Sequence, residues 1–489
     1  MLYYYSNSTD FLLTDISNNI ILNESMIRKE CETYLFGYCL STEEYKNNEN
    51  LSESSFTCQV DKNIDYSGVY VAVRFQDGKV QFVIDPLCQF NIFYFSDGLT
   101  FVMSSSINAI KDFLNLREVN SAFLYDQIAY QSPMRGLTIL NKVFYIQFDD
   151  IAYKQKSRKE FDQIDNNKLL KIHRPKYSIY DNYSYGDLLD LYIERLNLRA
   201  KLVASIFDKV HVQLTGGADS RLTVSSFSGS DNVECYVYGN GASQSRLIFE
   251  EILRARSISP ASSIRFVGQP LNCTPRIVKG LHDSNFLKLD NLNTYMNGSL
   301  CDNENYCKIT GYYGANVCGG VVLPPPNTAL NSRLSKVPEG LFTYHDYVDD
   351  FAKRNGELRP AAFNDRFYIN NRGKGHYAAH SIADNKNVDS VDILYDFINL
   401  LLVEKCPYSD SEIDKNAISI DLIYKNDKQL ALFPYDDRKV PKYRHFENIP
   451  LINCFDGFSF KHQKLQDFNV IRPNVNFDSY VFFLKAVPS

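Results

Sequence analysis

At 489 residues, with 44% hydrophobic and 22% charged, the chain has the make-up of an ordinary globular protein and the length of two or three domains. Its net charge of −6 offers no general attraction to nucleic acid or to an anionic membrane. No run of about 18 apolar residues occurs, and the N-terminus lacks a basic region followed by an apolar one, so a soluble cytoplasmic protein is expected.

Residues 1 to about 160 read as short strands joined by turns. Val69 to Phe75 and Val80 to Ile84 are β-rich runs around Asp77-Gly78, which predicts a hairpin. Phe93 to Phe95 and Leu99 to Met103 repeat the pattern around Ser96-Asp97-Gly98, and Ser106 to Leu114 predicts a short helix. An antiparallel β layer with few helices is an α+β arrangement. The eleven cysteines are scattered singly without a Cys-x-x-Cys pair, so free, mostly buried thiols are expected.

The segment from about 155 to 186 is polar and basic and reads as a linker. A helix is predicted from Leu188 to Leu198, then a strand from Val210 to Leu214 with one better-buried face. Thr215-Gly216-Gly217 forces a tight turn, and Asp219 and Ser220 supply N-cap chemistry for a following helix. A strand, a glycine turn and a helix N-terminus make an anion site, because successive amides and the helix dipole converge there. No lysine ends the turn, so this is not a Walker loop; a carboxylate-bound Mg²⁺ must supply the charge, and Asp219 is placed to hold it.

Beyond the loop, Val233 to Tyr238 predicts a second strand, Ser243 to Arg256 a helix and Ile264 to Val267 a third strand. Alternating strands and helices imply a parallel sheet with ligands beyond its carboxyl ends. Ile309 to Gly320 is glycine-rich around Tyr312 and Tyr313, a permissive loop presenting phenols. His376 and His380 lack the Glu that a zinc-type frame requires, and the basic run Arg438, Lys439, Lys442 reads equally as a solvated face.

Thr215-Gly-Gly-Ala-Asp-Ser220 resembles the Ser/Thr-Gly-Gly-x-Asp-Ser pyrophosphate loop of ATP pyrophosphatases, and to about residue 445 the chain resembles the asparagine synthetase and β-lactam synthetase family. Gly68 to Val73, Asp85 to Tyr94, Phe101 to Ile110 and Thr138 to Val143 follow the order of that family's glutaminase domain, which carries Asp-Arg-x-Gly-x-x-Pro-Leu-Tyr-Tyr. The resemblance implies a degenerate Ntn-hydrolase-like domain over residues 1–180 and an adenine-nucleotide-α-hydrolase-like synthetase domain over 181–489. Glutaminase activity of this type needs cysteine at position 2; Leu2 stands there, so glutamine hydrolysis is not expected.

What the resemblance implies for the site is specific. Leu214, Thr215, Gly216, Gly217, Asp219, Ser220 and Arg221 would bind ATP, with Val237, Gly239 and Gly311 lining the nucleotide, and Asp219 and Asn316 would hold Mg²⁺. Asn316 stands where the family has an aspartate, a neutral and weaker ligand. Thr310-Gly311-Tyr312 matches the β-lactam synthetase form, in which the tyrosine and a glutamate deprotonate the attacking amine; Glu339 and Glu357 are the nearby acids. Lys442, or alternatively Lys439, would stabilise charge as the amide forms.

The expected activity is an AMP-forming ligase. ATP adenylates a small-molecule, peptide or sugar carboxylate, and an amine or free ammonia displaces AMP. The rival is a pseudoenzyme that binds nucleotide or a partner without turnover, favoured by Asn316 and by the lack of a matched glutamate. A pyrophosphatase acting on tRNA or sulfur fits poorly with the β-rich first half and the acidic net charge.

Overall fold

The computed structural model of the chain describes residues 2–3, 12–14, 33–41, 66–76, 79–97, 100–130, 134–152, 159, 161–162, 170–173, 177–227, 229–236, 248–249, 251–254, 306–311, 313–314, 344–374, 389–410, 416–433 and 435. The content is mixed α/β, with largely antiparallel sheets in the first part and a parallel sheet flanked by helices in the second. Among the described residues no helix is long and apolar enough to cross a membrane.

The first part holds β1 (Leu2–Tyr3), β2 (Leu12–Thr14), β3 (Thr33–Gly37), β4 (Cys39–Ser41), β5 (Tyr66–Ser67), β6 (Tyr70–Gln76), β7 (Lys79–Ile84), β8 (Phe93–Ser96), β9 (Phe101–Ser104), β10 (Val143–Tyr145) and β11 (Leu170–His173). They form sheets ordered β1-β4-β5, β10-β8-β9-β2 and β11-β7-β6-β3. β6 and β7 pair antiparallel with Gln76 opposite Lys79, as the hairpin requires, while Asp77 and Gly78 themselves lie outside the described residues.

Period-two alternation decides which sheet face meets which layer. Tyr94, Phe101 and Met103 join Val71, Val73, Val80, Phe82 and Ile84 in one core. Phe93, Phe95 and Val102 point the other way, onto Ile107, Ile110, Phe123 and Leu124 of the helices Ile107–Leu114 and Ser121–Tyr130. Ser106 caps the first of these, accepting from the Ala109 amide at 3.4 Å.

Two expectations change here. The segment read as a linker contains β11, which pairs parallel to β7 and buries Leu170 and Ile172; alternation over four residues was hidden in a basic stretch. The helix expected over 188–198 runs from Tyr185 to Ile206, because Ser184 and Asp187 form a capping box that starts it earlier.

The parallel sheet has the order β13-β12-β14-β15, built from β12 (Lys209–Gln213), β13 (Val233–Tyr236), β14 (Tyr306–Thr310) and β15 (Asp389–Asp392). The third strand expected at 264–267 lies outside the described residues; β14 is the strand beside β12, and β15 is beyond it. Val210, His211 and Val212 are all buried, so β12 is covered on both faces rather than one, as befits a central parallel strand. In the segment expected to be helical over 243–256, Ile248, Phe249 and residues 251–254 are helical, with Ile248, Ile252 and Leu253 buried. The described cysteines Cys39, Cys88, Cys235, Cys307 and Cys406 are free and buried.

Candidate functional site

The loop after β12 closes on itself. The Leu214 amide donates to the Tyr236 carbonyl at 2.9 Å, which keeps β12 and β13 paired to the edge of the loop. The helix Ala218–Ser225 then begins with Gly217 as its N-cap, in an extended conformation and without a side-chain cap. Asp219 and Ser220 therefore sit inside the first turn, not at the cap as their chemistry suggested. Ser220 Oγ turns back, accepting from the Thr215 amide at 2.9 Å and lying 3.0 Å from Thr215 Oγ1. Thr215 Oγ1 also accepts from the Gly217 amide at 3.2 Å, so two hydroxyls fix the turn.

A second wall comes from the end of β14. A methyl added at Gly311 would stand 3.5 Å from Thr223 Oγ1 and 3.9 Å from Asp219 Cβ, ordinary contact. At Gly314 it would overlap the Asp219 side chain, coming 2.7 Å from Oδ1, so only glycine lets this turn close over Asp219. The Gly314 amide donates to the Gly311 carbonyl at 3.1 Å.

Tyr313, between them, is buried. Its amide donates to Asp392 Oδ2 at 2.9 Å, and its ring meets Tyr395 edge-on with centroids 4.4 Å apart. Burial, followed by the charge of Asp85, pushes its phenol well above the usual tyrosine range. A base at neutral pH it is not.

Arg221 also points inward. Its Nη2 donates to the Gly216 carbonyl at 3.1 Å and its Nη1 to the Phe433 carbonyl at 2.6 Å. Its guanidinium lies 3.8 Å from the Tyr435 ring centre. The side chain is a strut between the loop and the segment leading into the basic run, and it fixes the shape of the loop.

The fold thus brings Leu214, Thr215, Gly216, Gly217, Asp219, Ser220, Arg221 and Gly311 together at the carboxyl ends of β12 and β14. Tyr312, Asn316, Val237, Gly239, Glu339, His376, His380, Lys439 and Lys442 lie outside the described residues, and Glu357 is exposed beyond the helix Tyr344–Asn355. Among the described residues no three His, Cys, Asp or Glu side chains gather as a metal cluster. Asp85 and Gly314 fall within stretches singled out in the sequence without a role of their own, and no role was expected of Asp392 or Tyr395. Asp392 at the end of a parallel strand was the one legible signal, had β15 been recognised. No model of a known protein family matches the chain, and no curated protein matches it.

Proposed function

We propose that this protein is an ATP-dependent carbon–nitrogen ligase that forms AMP and pyrophosphate. The observation that carries the reading is the Thr215–Ser220 turn at the carboxyl edge of β12, closed by two hydroxyls and roofed by Gly314 against Asp219. It fits an anion held at a helix N-terminus. Cys88 adds support for the resemblance to asparagine and β-lactam synthetases: it has φ 52° and stands where that family's Asp-Arg-x-Gly motif has its glycine. On this reading the first part is a degenerate Ntn-hydrolase-like sandwich and the second an adenine-nucleotide-α-hydrolase-like fold.

Mg²⁺ binds through few protein ligands, with phosphate oxygens and water completing its shell, so a single loop carboxylate suits it. Asp219, with Asn316, would hold it, and its charge would offset that of the phosphates. The loop amides hold the β and γ phosphates as the leaving group. The substrate carboxylate oxygen then attacks the α-phosphorus, the bond to the β-phosphate oxygen breaks, and acyl-adenylate and pyrophosphate result. The amine attacks the acyl carbon, AMP leaves, and Tyr312 takes the amine proton. Lys442 or Lys439, beyond the Tyr435 anchor, offsets the charge that develops.

Incubation with ATP, Mg²⁺ and a panel of amino, peptide and sugar acids is expected to yield AMP and pyrophosphate, never ADP and phosphate. Asp219→Ala removes a charged ligand worth about 1.5–3 kcal/mol, so Mg²⁺-dependent ATP affinity should fall roughly 10–100-fold. Unchanged affinity in that variant, or ADP as the product, would sink the reading. Nucleotide binding without pyrophosphate exchange on any acid would favour the pseudoenzyme.

A further inference from the structure

Beneath the Gly311–Gly314 turn the two parts of the chain meet in a buried polar network. From the antiparallel side come Tyr38, Ser67, Asp85 and Gln89; from the parallel side come Tyr313, Asp392 and Tyr395, and all but Gln89 and Ser67 carry ionisable groups. Asp85 accepts the Gln89 amide at 2.8 Å and the Phe90 amide at 2.7 Å, and the Tyr395 phenol donates to its Oδ1. Ser67 donates to the Tyr395 carbonyl. The Lys374 ammonium is buried beside them and donates to the Phe90 carbonyl at 3.0 Å.

Toward the site the Tyr395 ring stands edge-on to Tyr313, with centroids 4.4 Å apart. Tyr38 Oη accepts the Asp392 amide at 3.1 Å. The Asp392 carboxylate accepts the Leu394 amide on Oδ1 and the Tyr313 amide on Oδ2, each at 2.9 Å. Tyr313 leads directly into Gly314, which lies against the Asp219 side chain.

We infer that Asp85 is a positioning residue for Asp219, acting through the Tyr395 ring and the Tyr313–Gly314 turn, whose Tyr313 amide Asp392 holds. Three features carry it. Asp85 fixes the Tyr395 phenol, the Tyr395 ring stands edge-on to Tyr313, and a buried carboxylate is tolerated only where its partners are in place. The turn has no slack on the Asp219 side, because not even a methyl fits at Gly314. A turn that moved away would release the Asp219 rotamer, and side chains that orient a metal ligand are typically worth 10–100-fold in affinity. The first part of the chain, without a nucleophile at Leu2, thereby retains a task in the second part's chemistry.

The inference rests on Asp219 holding the nucleotide's Mg²⁺, and the experiment separates the two claims. Asp85→Asn removes the charge and keeps the shape; Tyr395→Phe removes one hydroxyl and is the milder change. In the full chain, hydrogen exchange at the Tyr313 and Gly314 amides should quicken in both variants. ATP affinity measured with Mg²⁺ should weaken about tenfold. Affinity in EDTA should stay as in the wild type, and neither change should add to Asp219→Ala. Wild-type protection of those amides, or wild-type Mg²⁺-dependent affinity, overturns the inference. If the wild type binds ATP with no dependence on Mg²⁺ or on Asp219, the ligase reading fails first, and the exchange data then report the link alone.

Discussion

Tyr312→Phe should make adenylate and stall there. The variant keeps the ring and loses only the phenol, so if Tyr312 takes the amine proton, acid-dependent exchange of pyrophosphate into ATP continues. Amide formation falls by ~10²–10⁴, the usual loss on removing a positioned base. The structure narrows the choice between the two adjacent tyrosines. Tyr313 is buried, its ring edge-on to Tyr395, and its proton is held far above neutral pH by burial and by Asp85. Tyr312 is therefore the phenol to test. Exchange and amide formation falling together would make Tyr312 a binding or packing residue. Amide formation at the wild-type rate would leave the proton to another group.

The largest effect on stability is expected at Asp396, which follows β15. The Arg199 guanidinium pairs with its Oδ2, Arg195 lies 3.5 Å from its Oδ1, and the Ile398 amide donates to Oδ1 at 3.0 Å. Arg199 also donates to the Ile393 carbonyl at 2.9 Å, and both partners are buried. Asp396→Ala leaves a buried guanidinium without its counter-charge, which costs about 3–5 kcal/mol. That is a large share of the roughly 5–15 kcal/mol by which a domain is stable. Burial alone would raise the Asp396 carboxyl, but Arg199, then Arg195 and the Ile398 amide, more than offset it and leave it below the usual range.

The sign of the pH dependence follows. A folded-state value below that of the unfolded chain means stability that is full above the unfolded value of about 3.9 and lost as pH falls through the folded one. Denaturant unfolding of wild type and Asp396→Ala should differ most near neutrality and converge below about pH 4. A difference that stays constant as pH falls well below about 4 would show that the carboxylate contributes only packing.

What could be read from the sequence was local. Alternation on either side of Asp77-Gly78 specified the β6–β7 pairing. Thr215-Gly-Gly marked the place of the turn after β12, but Gly217 has an ordinary φ of −78° and the Thr215 and Ser220 hydroxyls, not unusual glycine angles, hold the turn. β14 and β15 were not legible. Lys308, Ser390 and Asp392 are polar, yet all three are buried in the parallel sheet, and burial of polar groups depends on partners distant in sequence. The N-cap was misassigned for a related reason. Ser220 has cap chemistry, but Thr215 claims its hydroxyl across the turn. The network from Asp85 to Asp392 spans some three hundred positions, and no local pattern encodes it.

The continuous core has a consequence for how the molecule fails. Apolar side chains from Phe36 through Leu222 to Tyr435 belong to one packed cluster, not to one cluster for each half. Separating the halves would strip water-free packing from Tyr395 and Asp85 together, so a half-open species has little to recommend it energetically. Among the described residues, loss of structure should then be cooperative across both halves.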